Sequence, residues 1–247
     1  MSKVLLVTGG SRGLGAATCV NAAKQGYNKI CINYLNNRAR ADQVVAQCQN
    51  AGATAIAVKA DVSKESEVVE LYKTIDRELG HVTHLVNSAG IIGPYGRVDE
   101  VKAEDLIKLW ELNITGMFIS CREAIKRMST LHGGKGGAIV NVSSASSRLG
   151  GAGVNVPYAA SKGAVDSLNW GLAQEVAAES IRVNSVSPGL IDTEIQPKGR
   201  VETVGPTTPM KRAGEPDEVG EAILFLLSEG ASYVSGTCVS VSGARAQ

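Results

Sequence analysis

Tyr158 and Lys162 stand four residues apart in the segment Tyr158-Ala159-Ala160-Ser161-Lys162. On a helix that spacing stacks them one turn apart on a single face. A free phenol ionises near pH 10 and carries protons sluggishly at neutrality. An ammonium about 4 Å away is worth roughly 4 kcal/mol at an effective dielectric near 20. Lowering a pKa by two or three units takes about 3–4 kcal/mol, so one lysine is enough. The pair is therefore equipped to move a proton to or from an alcohol oxygen. Ordinary helices also stack a tyrosine beneath a lysine by accident, so the rest of the chain must supply the remainder of the argument.

Short apolar runs alternate with longer amphipathic stretches from end to end. Strands are expected at Val4–Val7, Lys29–Asn33, Ala55–Lys59, His84–Asn87, Ala138–Val142, Arg182–Val186 and Cys238–Val241. Helices are expected at roughly 13–25, 38–50, 64–79, 103–129, 157–178 and 216–228. The strands are rich in Val and Ile without polar alternation, as in a sheet covered on both faces. The fold class is thus α/β: a doubly wound Rossmann architecture, with a seven-stranded parallel sheet flanked by helices. No linker, repeat or low-complexity tract interrupts it, so residues 1–247 read as one domain.

A net charge of +1 gives no broad attraction for nucleic acid or an anionic membrane. No run approaches the roughly 18 apolar residues of a membrane span. The first apolar run, Val4–Val7, is too short for a signal peptide. Five scattered cysteines without a C-x-x-C pair argue for reduced thiols in a cytoplasm rather than disulfides or zinc. His81 and His84 lack further ligands and read as loop residues, so no metal is expected.

Between the first strand and the first helix lies Thr8-Gly9-Gly10-Ser11-Arg12-Gly13-Leu14-Gly15. Glycines at such a bend let backbone N–H groups and the helix N-terminus approach a pyrophosphate, although a tight turn alone can have the same composition. At the end of the second strand an NAD site would carry an acid for the ribose hydroxyls. This chain has Asn33-Tyr34-Leu35-Asn36-Asn37-Arg38 instead. The missing carboxylate, with Arg12 and Arg38 to grip a 2′-phosphate, favours NADP(H).

These segments resemble the short-chain dehydrogenase/reductase family, from Val4 to the C-terminus. The turn at 8–15 is similar to the family's cofactor motif, implying contacts from Gly9, Ser11, Arg12, Gly13, Leu14 and Gly15, with Asn33, Tyr34 and Arg38 beyond. Asp61-Val62 resembles the adenine-contacting pair. Asn87-Ser88-Ala89-Gly90 resembles the N-N-A-G segment, bringing Asn87, Ala89 and Gly90 to the cofactor. Asn113 matches the helix asparagine of the catalytic set. Asn141-Val142-Ser143-Ser144 matches the strand ending in the catalytic serine, which the resemblance assigns to Ser144 with Ser143 as its neighbouring alternative. Tyr158 and Lys162 match Y-x-x-x-K. Pro188-Gly189 and Thr193, with Ile191 between, match the P-G-x-x-x-T nicotinamide segment.

The resemblance implies hydride transfer between a carbonyl and a secondary alcohol. Ser144 would bond the substrate oxygen, Tyr158 would donate the proton, and Lys162 would lower the tyrosine pKa and hold the nicotinamide ribose. Asn113 would help hold a water chain to solvent. Three departures stand out. Ser88 replaces an asparagine, at the expense of at most a bond between strands. The stretch Leu149-Gly150-Gly151-Ala152-Gly153 lengthens the gap between Ser144 and Tyr158. The end, Val241-Ser242-Gly243-Ala244, lacks the usual Asp-Gly-Gly.

The stretch between Thr193 and Pro209, poor in apolar side chains, is expected to form a mobile lid over the substrate, the alternative being an ordinary connecting loop. It lies in a substrate loop at about 190–210, with further pocket walls from 93–97 and 145–156. Apolar residues on several sides of the helices near 103–129 and 157–178 allow a second subunit, and the family implies a homotetramer. The expected function is an NADPH-dependent carbonyl reductase or alcohol dehydrogenase acting on a small molecule. A 3-oxoacyl-[acyl-carrier-protein] reductase is the alternative, favoured if Lys126, Arg127 and Lys135 form a basic patch. A non-enzymatic dinucleotide-sensing regulator would have no need of all four catalytic residue types.

Overall fold

In chain order the elements are β1 (Val4–Thr8), α1 (Gly13–Lys24), β2 (Lys29–Tyr34), α2 (Arg38–Asn50), β3 (Thr54–Lys59), α3 (Glu65–Glu78) and β4 (His84–Asn87). Then follow α4 (Ala103–Trp110), α5 (Gly116–Met128), β5 (Gly137–Val142), α6 (Ser146–Leu149), α7 (Val156–Val176), β6 (Ile181–Pro188), α8 (Arg200–Val204), α9 (Pro216–Leu227) and β7 (Cys238–Val241). The computed structural model describes residues 3–245. All seven strands join one parallel sheet in the order β3-β2-β1-β4-β5-β6-β7. The order reverses between β1 and β4, which opens a crevice at their carboxyl ends.

Alternation along β1 shows why the strand reads as uniformly apolar. Leu5 and Val7 point into a core under α1, α2 and α9, while Val4 and Leu6 point into a second core under α3, α5 and α7. Both faces are covered, so neither can be polar. At the outer edge of the first layer, α9 lies along α1, with Asn21 donating to Asp217 at 3.1 Å. Pro216 occupies the first turn of α9, and the Glu218 carboxylate accepts from the Glu215 N–H at 2.8 Å, which closes that terminus.

The expected helix at 103–129 is not continuous. Between α4 and α5 the backbone makes a π turn at Glu111–Thr115, with Asn113 at its centre. Gly116, directly after it, approaches Val62 so closely that a Cβ would lie 2.4 Å from the Val62 carbonyl oxygen. The wide turn and the glycine together let the helix pass under the end of β3. Periodicity alone shows neither feature.

Candidate active site

The carboxyl ends of β1, β4, β5 and β6 converge on the crevice. In the turn after β1, Gly9 has φ 64°, and a Cβ there would lie 2.9 Å from the Ala89 Cα. A Cβ on Gly15 would meet the Gly9 carbonyl oxygen at 2.4 Å. Only glycine permits this packing, and it brings the α1 N-terminus onto the crevice. Gly13, at φ 52°, would set a Cβ 3.5 Å from the Thr193 methyl, so the turn and the segment after β6 face each other. Several predicted contact residues support this cradle with their side chains. Asn33 accepts from the Gly9 N–H at 3.2 Å and donates to the Ala60 carbonyl at 3.0 Å. Asn87 donates to Asn141 at 2.9 Å, which supplies the bond between β4 and β5 that the Ser88 replacement had put in question. Asp61 accepts from both the Ser63 N–H and hydroxyl.

Ser144, Tyr158 and Lys162 all line one cavity of about 290 Å³. The walls also include Leu14, Gly90, Pro188, Gly189, Ile191 and Thr193, so the end of the glycine turn, through Leu14, and the Tyr–Lys pair open onto one space. The two serines are distinguished by their partners. Both line the cavity, but the Ser143 hydroxyl donates to the buried Asp166 at 2.6 Å. Ser144 accepts from the Ser146 N–H at 3.1 Å and interacts with Tyr158. Asn113 is fully buried. It donates to the Ile91 carbonyl at 2.9 Å and to Ser161 at 3.1 Å, and accepts from the Ile91 N–H at 3.0 Å. Both its amide N–H groups are thus engaged, leaving one lone pair on Oδ1 for any water. Its side chain ties the Gly90–Ile91 turn to α7.

The electrostatics of the pair differ from expectation. Burial raises the Tyr158 pKa above 10, against the opposing effect of the Ser144 hydrogen bond. Lys162 is pushed down to about 8 by burial, which nearby Asp166 only partly offsets. The reason is geometric. The Lys162 ammonium donates to the Val142 carbonyl at 2.7 Å and sits 5.7 Å from the centre of the Tyr158 ring. Desolvation is the largest influence on the phenol.

The expected arginine clamp is also rearranged. Arg38 is held by Asp42 on its own helix, at 2.8 Å, and interacts with Tyr34. Arg12 lies 3.9 Å from Glu194, and Arg40, which sequence reasoning passed over, pairs with the same carboxylate. Arg40 lies two residues beyond Arg38 on α2, and only the three-dimensional path shows which of the two pairs with the carboxylate beside Arg12.

Residues 93–97, 145–156 and 190–210 each contribute to the cavity wall, through Tyr95, Leu149, Val154, Ile195 and Arg200 among others. The Gly96 N–H donates to the Val154 carbonyl at 2.9 Å, joining the first two segments. The 190–210 stretch is anchored rather than unstructured. Ile191 bridges to Gly214, α8 follows, and the buried Thr208 hydroxyl donates to the carbonyls of Gly205 and Arg212. At the C-terminal departure, Ser242 packs against Gly189 so closely that a Cβ on the glycine would be 2.8 Å from its Cα. Ala244 then takes a left-handed φ of 63°.

Other expectations are corrected or located. His84 is not a loop residue; it begins β4, buried edge-on to Tyr27 at 5.2 Å, whereas His81 pairs with Asp76. Lys126 pairs with Glu123, and Arg127 with both Glu123 and Asp76. Among the described residues there is no group of three or more His, Cys, Asp or Glu that could hold a metal, and no helix is long and apolar enough to cross a membrane.

The family model described as short chain dehydrogenase matches residues 3–202. A protein named uncharacterized oxidoreductase YgfF, from Escherichia coli (strain K12), is 46% identical over 246 residues, spanning 98% of this chain and 99% of that one. Carbonyl reductase family member 4 of Danio rerio is 38% identical over 243 residues, 98% of each chain. Among solved structures, a blue fluorescent protein from a metagenomic library in complex with NADPH superimposes with a TM-score of 0.91 at 31% identity, covering 99% of this chain and 98% of that one. With its switch-point crevice, glycine cradle and Tyr–Lys cavity, this chain belongs to the short-chain dehydrogenase family of oxidoreductases.

Proposed function

We propose that this protein interconverts a carbonyl and a secondary alcohol with NADP(H) as cofactor. The observation carrying the reading is that Ser144, Tyr158 and Lys162 line one cavity together with the residues beside the glycine turn. That turn fits a dinucleotide, because its glycines leave no room for side chains where a pyrophosphate would approach. When bound, the nicotinamide supplies a hydride to the carbonyl carbon. The Ser144 hydroxyl donates to the substrate oxygen, where negative charge develops. Tyr158 gives its proton to that oxygen, completing the alcohol. Lys162 keeps two N–H donors beyond the one spent on Val142, enough to hold ribose hydroxyls and to charge the site near the phenol. Asn113 fixes the Gly90–Ile91 turn beside them.

Preference for the 2′-phosphate is supported by the absence of an acid at the end of β2 and by Arg12, in the glycine turn, with Arg40 brought to the same Glu194. A homotetramer accords with Trp110, Phe118 and Trp170, exposed on α4, α5 and α7. The five free cysteines accord with a reducing cytoplasm. The test is a screen of NADPH oxidation across ketones, aldehydes, β-ketoesters, quinones, sugars and acyl thioesters. Turnover that disappears in Tyr158→Phe, with NADPH still bound, supports the reading. Turnover retained in that variant refutes it.

A further inference from the structure

Resting on the reductase reading above, we propose that the substrate is a small oxo acid, whose carboxylate is held between Arg200 and Arg245 while its carbonyl meets Ser144 and Tyr158. The cavity wall carries three cations, Lys162, Arg200 and Arg245, and no Asp or Glu. Elsewhere the chain provides its arginines with carboxylates, as at Arg38, Arg97, Arg122, Arg127 and Arg212. Among the described residues, neither Arg200 nor Arg245 has a carboxylate within ion-pair distance or a side-chain hydrogen bond. Both guanidiniums are half-buried. Burial and the neighbouring Arg200 charge both lower the Arg245 pKa, so the pair repel each other across a wall that holds no counter-ion among the described residues.

Such an arrangement costs free energy until an anion enters, and a planar guanidinium fork matches a carboxylate. The backbone also bears a cost in delivering one of them. Ala244 adopts a left-handed conformation that alanine disfavours, and the next residue is Arg245. The departure from Asp-Gly-Gly at the chain's end is therefore where an arginine turns into the active-site cavity. The same wall carries apolar side chains, Ile92, Leu149, Val154 and Ile195 among them, which suit a short hydrocarbon spacer. A volume of about 290 Å³ that must also admit a nicotinamide ring leaves space for a small acid only.

The experiment compares kcat/KM of the NADPH-loaded enzyme for a ladder of 2-, 3-, 4- and 5-oxo carboxylic acids with that for their methyl esters. At least one acid should exceed its ester by about tenfold or more. Arg245→Gln and Arg200→Gln should each lower kcat/KM for that acid by about tenfold while leaving the ester within a few-fold, and Arg245→Lys should restore part of the loss. The Kd for NADPH should stay within about twofold in every variant. Esters reduced as well as acids overturn this proposal alone. So does a weakened NADPH Kd with the acid-to-ester ratio unchanged, which would assign the arginines to the cofactor's phosphates. A failure to reduce any acid, ester or neutral ketone, with NADPH bound, overturns the reductase reading as well.

Discussion

Replacing the two adjacent serines one at a time should produce opposite phenotypes. The Ser144 hydroxyl lines the cavity and interacts with Tyr158, so in the proposed reaction Ser144→Ala removes a donor aimed at the developing oxyanion. Loss of one such donor costs about 2.7–4 kcal/mol of transition-state stabilisation, a fall of about 100- to 1000-fold in kcat. Thermal stability should barely change, because the methyl group left behind borders an open cavity. Ser143 is 2% exposed and its hydroxyl donates at 2.6 Å to Asp166, itself 8% exposed. Ser143→Ala leaves that carboxyl group short of its nearest partner, at a cost of about 1.5–3 kcal/mol. For a chain of this length the melting temperature should drop by roughly 3–12 °C, with kcat reduced only a few-fold. Steady-state NADPH oxidation and a thermal melt on the same preparations separate the two. The assignment fails if Ser143→Ala loses as much kcat as Ser144→Ala at an unchanged melting temperature, or if Ser144→Ala retains most of its rate.

Glu194→Gln should free Arg12 and Arg40 and tighten NADPH by roughly two- to fivefold, as expected for exposed pairs, without affecting NADH; titration of each cofactor by fluorescence checks this. Ala244→Gly should raise stability by less than about 1 kcal/mol, since glycine accepts φ 63° freely but loses more entropy on folding; chemical denaturation measures it. His84 is held neutral by burial, its pKa lowered from 6.5 to about 4. The unfolded chain binds the extra proton first, so stability should fall as pH drops from about 6.5 towards 4, and His84→Gln should flatten that slope in denaturant melts. The buried Lys162 ammonium ionises at about 8 in the free enzyme, so kcat/KM for NADPH in the reductive direction should decline above that pH.

What the sequence revealed depended on how local each signal was. Every strand lay within two residues of its expected bounds, because a run buried on both faces is apolar throughout and ends abruptly. Tyr158 and Lys162 were legible for a similar reason: four residues on a helix fix a geometry. The phenol's pKa was not legible, because it depends on how deeply the pair is buried and on Val142 taking one lysine N–H. Nor was the partner of Arg12, since Glu194, which it shares with Arg40, lies 154 residues beyond Arg40 in the chain. Short helices such as α6 and α8 fall below the length at which periodicity shows. The left-handed Ala244 carries no sequence signal beyond the departure itself.

The π turn at Glu111–Thr115 makes the helix one residue longer than its regular ladder needs. Deleting one residue there would let the ladder close in ordinary α fashion while α4 and α5 kept nearly their present relation, because five residues of the wide turn cover about the arc that four cover in an α-helix. The loss would fall on Asn113 at the centre of the turn, which would be carried away from its two bonds to Ile91. Single-residue deletions should therefore be far less tolerated across this joint than in the exposed turn at Gly133, where an added Cβ would meet nothing within 4 Å.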